Sequence, residues 1–131
     1  MISKQVQEVF EELREHAFRV THGHCYVRSI KMAKALVQVG YPEILTVVAR
    51  GIPREMFPST IPKKWDIHYI CIDRGIVYDP SAGLPLPEKA YIPFMFPHQN
   101  ILLTPRSDSA KIISQPISQK LEDAYHGRIY A

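Results

Sequence analysis

The chain is poor in cysteine, has a single tryptophan, lacks a long apolar run and carries no tract of one charge. Two cysteines, Cys25 and Cys71, are too few for a disulfide framework, so two free thiols in a reducing compartment are expected. No apolar stretch approaches the roughly 20 residues of a membrane span. Residues 1–14 are amphipathic and charged, without the apolar centre of a signal peptide. The expectation is a cytosolic chain, or one delivered into a target cytosol, with no membrane partner. Net charge is +3, and acids such as Glu11-Glu12 and Glu122-Asp123 interrupt the scattered lysines and arginines. No basic stripe argues for a nucleic-acid partner. His22, His24, Cys25 and His68 are of metal-ligating types, but a second paired spacing such as Cys-x-x-Cys is missing. Neither a metal nor a cofactor is therefore expected.

Proline, by contrast, is abundant. Ten of the eleven fall between Pro42 and Pro105, which predicts loops and short strands in the middle of the chain. The 131 residues suit one domain, 1–131, around one core. Ser3 is a good N-cap, and Val6, Val9, Phe10, Leu13 and Ala17 recur at helical spacing. They predict a first helix that fades over 19–22, where Gly23 breaks it. A second helix is predicted from Cys25 to Val39, with Ile30, Ala33, Leu36 and Val37 inward and Lys31, Lys34 and Gln38 in water. Gly40 fits its C-terminal capping position and Pro42 ends it. Residues 44–49 read as a buried strand, and 51–65, with three prolines and no period, as a long loop over a cleft. Residues 67–72 and 76–78 predict a hairpin around Asp73-Arg74-Gly75. Residues 84–99 read as extended, anchored by Tyr91, Ile92, Phe94, Met95 and Phe96. A short strand at 101–103 and a last helix at 116–125, with Ser114 or Gln115 near its cap, complete the pattern.

Chemistry enters with Cys25, which opens the second helix. A helix N-terminus favours a thiolate, an imidazole can take the proton, and a carboxylate can fix the imidazole's tautomer. His68 on one strand and Asp79 at the end of the next supply both groups. If Arg74 and Gly75 alone form the turn, Ile70 lies opposite Asp79 and His68 opposite Ser81. His68 and Asp79 then share a face as diagonal neighbours. A three-residue turn would move Asp79 to the other face. Singly, a cysteine is more often a small buried hydrophobe, a strand histidine a satisfied core residue, and Asp-Pro a turn. In this order, on these elements, they point to a nucleophile (Cys25), a general base and later acid (His68) and an orienting group (Asp79). The thiolate attacks a carbonyl, ammonia or an amine leaves, and water hydrolyses the thioester. N–H groups of the helix's first turn would hold the oxyanion, with His22 or His24 as a further donor. Substrate-binding residues stay unassigned.

Other residues read more plainly. Cys71 alternates away from His68 into the core, and His16, His98 and His126 are expected in solvent. Tyr91, Phe94, Met95 and Phe96 are packing or, in a non-catalytic binding module, a partner surface with the surrounding prolines. Lys63-Lys64-Trp65 is a loop tip or one lip of a cleft.

The strings HGHCYVRSIKMAKALVQVGYP and DIHYICIDRGIVYDPSAGLP resemble the papain-like and transglutaminase-like cysteine hydrolase superfamily. More narrowly, they resemble the small papain-fold toxin domains of bacterial polymorphic toxins. The matching positions are Cys25, Ala35-Leu36, Gly40, Val47-Val48, His68, Val77-Tyr78-Asp79 and Gly83-Leu84-Pro85. The resemblance implies an α+β, papain-like fold with N-terminal helices packed on a small antiparallel sheet. It also implies amide chemistry, as a peptidase or glutamine deamidase acting on a protein or peptide substrate, and a cognate immunity or partner protein. Cys25-Tyr26-Val27-Arg28-Ser29 is similar to the Cys-x-x-Arg-Ser opening of the transglutaminase-like leader peptidases of lasso-peptide biosynthesis. Their downstream His-Ala-Trp reads His68-Tyr69-Ile70 here.

Overall fold

The structure, a computed structural model, describes residues 3–19, 24–48, 67–97, 99 and 101–127. The expected loop 51–65, with Lys63, Lys64 and Trp65, lies outside the described residues, as do His22 and His98. Helix α1 spans Lys4–Arg19, and the Ser3 hydroxyl accepts the Val6 N–H at 3.2 Å, as an N-cap should. Its inward stripe is Val6, Phe10, Leu13 and Ala17, joined by His16. Helix α2 spans Cys25–Leu36. The strands β1 (Glu43–Val48), β2 (His68–Asp73), β3 (Ile76–Tyr78), β4 (Leu86–Pro87) and β5 (Leu102–Pro105) form one antiparallel sheet in the order β4-β3-β2-β1-β5. The protein is therefore α+β.

Strand alternation gives the sheet two apolar faces. Ile44, Cys71 and Tyr78 pack with α1 and α2, and Ile113 and Tyr125 from helices α4 (Ser109–Ser114) and α5 (Gln119–Tyr125) complete that core. Leu45, Val47, Ile70 and Val77 point the other way, onto Tyr91, Met95 and Phe96. Those three do not lie on extended chain. Residues Glu88–Met95 form helix α3, with Phe96 at its C-cap. The prolines that suggested an extended segment are compatible with the helix. Pro87 sits at the N-cap, and Pro93 removes one bond from a helix only 8 residues long. Tyr91 and Met95, four apart, give it a buried face, so they do not form a partner surface.

Other boundaries also move. α2 ends at Leu36 rather than Val39, and Val37 is 46 % exposed instead of inward. The last helix starts later than expected, capped by Ser118, whose hydroxyl accepts the Leu121 N–H at 3.3 Å. Lys31 and Lys34 are not idle surface residues. Lys31 pairs with Glu122 of α5 at 2.7 Å, and Lys34 donates to the carbonyls of Ile113 and Gln115 at the end of α4.

Gly40 is needed for closeness, not for a left-handed cap, because it is absent from the positive-φ glycines. A Cβ there would collide with the carboxylate of Asp73, a buried group that accepts the Tyr41 N–H at 2.9 Å. Gly40→Ala is expected to cost about 1–3 kcal/mol by overpacking. Urea unfolding measures it, and an unchanged midpoint would refute the clash.

Candidate active site

The β2–β3 turn decides what His68 meets. Arg74 (φ 48°) and Gly75 (φ 79°) are its two central residues, and Asp73 pairs with Ile76, Ile72 with Val77 and Cys71 with Tyr78. Positive φ at both positions belongs to the hairpin turn whose twist matches the strands. One further step along that register sets Asp79 beside Ile70, diagonal to His68. His68 Nε2 lies 3.0 Å from Asp79 Oδ2.

β3 stops at Tyr78 because Pro80 cannot extend the ladder. The chain enters a 3-10 turn, Pro80–Ala82, with Asp79 as its N-cap and Gly83 (φ 84°) closing it. Asp79 Oδ1 accepts the Ser81 N–H at 3.0 Å, while Oδ2 accepts the Tyr91 hydroxyl at 2.6 Å as well as the His68 ring. Tyr91, read from the sequence as packing, is thus also a ligand of the carboxylate. The signal was weak, since nothing local distinguishes a buried tyrosine that packs from one that donates.

The Asp79 carboxylate is 1 % exposed. Burial alone would raise its pKa, but the His68 charge and the His68, Tyr91 and Ser81 hydrogen bonds outweigh this and hold it below the usual carboxylate range. Burial would likewise lower His68. The Asp79 charge and hydrogen bond, then Cys25, reverse that and raise His68 to about 9. Its partners therefore favour the imidazolium.

His68 also hydrogen-bonds the Cys25 thiol, and the Tyr69 backbone N–H donates to the same sulfur. With Nε2 engaged by Asp79, Nδ1 is left for the sulfur. Burial pushes the thiol up. The His68 hydrogen bond and charge, the Tyr69 N–H and the Arg28 charge together hold it below its ordinary value. Cys25 and His68 thus tend toward a thiolate–imidazolium pair. Cys71 is the opposite case, fully buried in the helix-side core with burial and Asp73 pushing its thiol up.

Close to Cys25 in the helix is a group that the sequence reading left without a role. Arg28, one helical turn from Cys25, is 3 % exposed, and its Nη1 donates to His16 Nδ1 at 2.9 Å. His16 Nε2 in turn donates to the Tyr125 carbonyl at 2.7 Å, and its ring stacks on Tyr125 with 3.8 Å between centroids. Receiving at Nδ1 and donating at Nε2 fixes one neutral tautomer. His16 was expected in solvent but is 2 % exposed; it lies on the inward stripe of α1, where a polar residue needs partners on neighbouring helices. His24, at the N-cap of α2, makes no side-chain capping bond, and its ring lies edge-on to His16 at 5.5 Å. His126 is half exposed and 3.3 Å from Glu122.

Burial chiefly, then the charges of Arg28, His24 and Arg19, lower His16 to about 4 against the Tyr125 hydrogen bond, from an ordinary 6.5. Between those values the unfolded chain binds a proton that the folded chain refuses, so stability rises with pH across that window. It is expected to be complete above pH 6.5 and lost as pH falls through about 4, by about 3 kcal/mol in the limit. Urea midpoints from pH 7 to pH 4 measure the loss. His16→Gln should flatten that slope, and an equal slope in both proteins would refute the assignment.

Among the described residues no group of three His, Cys, Asp or Glu side chains could hold a metal ion, and no helix is long and apolar enough to cross a membrane. No family model, curated protein or solved structure matches the chain.

Proposed function

We propose that the chain is a cysteine-dependent amidohydrolase on a papain-like scaffold, acting on protein or peptide amides as a glutamine deamidase or peptidase. One observation carries this reading. A thiol at a helix N-terminus is hydrogen-bonded to an imidazole that is itself held 3.0 Å from a buried carboxylate. Such a constellation activates sulfur, whereas a buried structural cysteine needs none of it. The Cys25 thiolate attacks the amide carbon. The oxyanion is held by first-turn N–H groups of α2, where His24 contributes no side-chain cap. As C–N breaks, His68 gives its proton to the departing ammonia or amine. It then takes one from the water that opens the thioester. Asp79 keeps the ring oriented throughout.

Intact-mass analysis of candidate protein mixtures, exposed to wild type and to Cys25→Ala, tests the proposal. A gain of one mass unit per site indicates deamidation, and new termini indicate cleavage. Identical spectra for the two enzymes count against it. A binding module is the second reading, favoured by a mainly apolar groove of about 900 Å³ lined by Val37, Pro42, Pro105, Ala110 and Ile113, with Tyr41 88 % exposed at its rim. That reading expects Cys25→Ala to leave every cellular activity intact.

A further inference from the structure

The three catalytic groups do not sum to zero charge. A thiolate, an imidazolium and a carboxylate leave one net negative charge in a buried site, and uncompensated buried charge is costly. Arg28, buried like His68 and Asp79, supplies one positive charge. It lies three residues beyond Cys25, on the same helix face, and its charge acts on both Cys25 and Asp79. The acceptor it bonds in α1, His16, is neutral, so that bond fixes the guanidinium without offsetting its charge.

On the reading that Cys25 is the nucleophile, we infer that Arg28 is a positioning residue, the buried counter-cation that keeps the site electrically neutral and so lets Cys25 rest as a thiolate beside His68 and Asp79. Neutrality holds along the reaction. At rest, sulfur and carboxylate are balanced by imidazolium and guanidinium. In the thioester the sulfur is neutral, the imidazole has passed its proton to the leaving amine, and Asp79 is balanced by Arg28. Without Arg28 both states carry an unbalanced negative charge. Arginine suits the position because it stays charged when buried and its fork can hold His16 with one nitrogen.

Among the described residues, the titratable groups around the guanidinium include His16 of α1, His24 before α2, Cys25 of α2, Asp79 after β3 and Tyr125 of α5. His16 is neutral above about 4, burial pushes the Tyr125 phenol up, and Asp79 is ionised. Near neutrality the remaining titrations are those of Cys25 with His68, and of His24, which burial and Arg28 hold below the ordinary range.

The test follows iodoacetamide alkylation of Cys25 against pH in wild type, Arg28→Gln and Arg28→Lys. Arg28→Gln is expected to move the acid limb up by about one pH unit or more, a roughly tenfold slower reaction on that limb, and Arg28→Lys to restore most of it. The unfolding free energy of Arg28→Gln is measured in wild type and in a Cys25→Ser background, where no thiolate needs balancing. A smaller loss in the serine background is expected, including the case in which only the double variant folds. An unmoved limb in folded Arg28→Gln, or equal destabilisation in both backgrounds, overturns the inference and leaves Arg28 a packing residue. Failure of the catalytic reading looks different. It appears in the wild type itself, as Cys25 alkylating no faster than Cys71.

Discussion

His68→Ala is expected to leave Cys25 slower toward iodoacetamide than a free model thiol, and to lower amide turnover by roughly 10²–10⁴-fold. Burial is the largest influence on the Cys25 thiol and acts against ionisation. The next two, the hydrogen bond and the charge, both come from His68 and both favour ionisation. Removing the ring leaves burial opposed by the Tyr69 N–H, Arg28 and the helix N-terminus but without its two largest opponents, so the balance reverses and the sulfur holds its proton. The wild-type protein should alkylate at one thiol per chain at neutral pH, because the surroundings of Cys71 push its thiol up. The proposed hydrolysis should fall above about pH 9, where His68 loses the proton that the leaving group would need, while alkylation, which needs only the thiolate, does not fall there. Alkylation counted by intact mass and turnover followed across pH check both halves. Rapid alkylation in His68→Ala would show that the helix N-terminus, the Tyr69 N–H and Arg28 ionise the sulfur without the imidazole, which is then not its partner.

The parts of the site legible in the sequence are those set by local rules. A cysteine at a helix start, a two-residue Arg74-Gly75 turn and strand alternation together bring His68 and Asp79 to bonding distance, and the observed register is the one that does so. Helix α1 and the core position of Cys71 follow from periodicity in the same way. What stayed hidden depends on long-range contact. Tyr91 donates to Asp79 from a helix that proline content concealed. His16 reads as a solvent residue and Arg28 has no assignment until α1, α2 and α5 are seen to converge on them. Helix α4 is six residues long and shows no full period. Gly40 was assigned to backbone conformation, yet what requires it is the Asp73 carboxylate 33 residues away.

Asp79→Asn separates two jobs that one carboxylate performs, and is expected to cost about 3–5 kcal/mol of stability and on the order of 10³-fold or more in turnover. As N-cap of the Pro80–Ala82 turn, Asp79 accepts the Ser81 N–H, and asparagine caps as well as aspartate. Were capping all, the substitution would be nearly silent. But Oδ2 receives two donors, the His68 ring and the Tyr91 hydroxyl. An amide that turns its oxygen to Ser81 turns its nitrogen on both of them, and if it turns its oxygen to His68 the Ser81 N–H meets a donor. In the first case the His68 N–H faces a donor and the Tyr91 hydroxyl must turn to accept, in the second the Ser81 N–H loses its acceptor, and in both His68 loses the charge that sustains its proton. Tyr91→Phe removes only one of three donors and leaves the charge pair, so a loss of about 1.5–3 kcal/mol with a far smaller fall in turnover is expected. Urea unfolding and single-turnover rates on the two variants measure the contrast. Equal effects would make the carboxylate a packing group, whereas a large excess for Asp79→Asn in rate as well as in stability assigns it to holding the imidazolium.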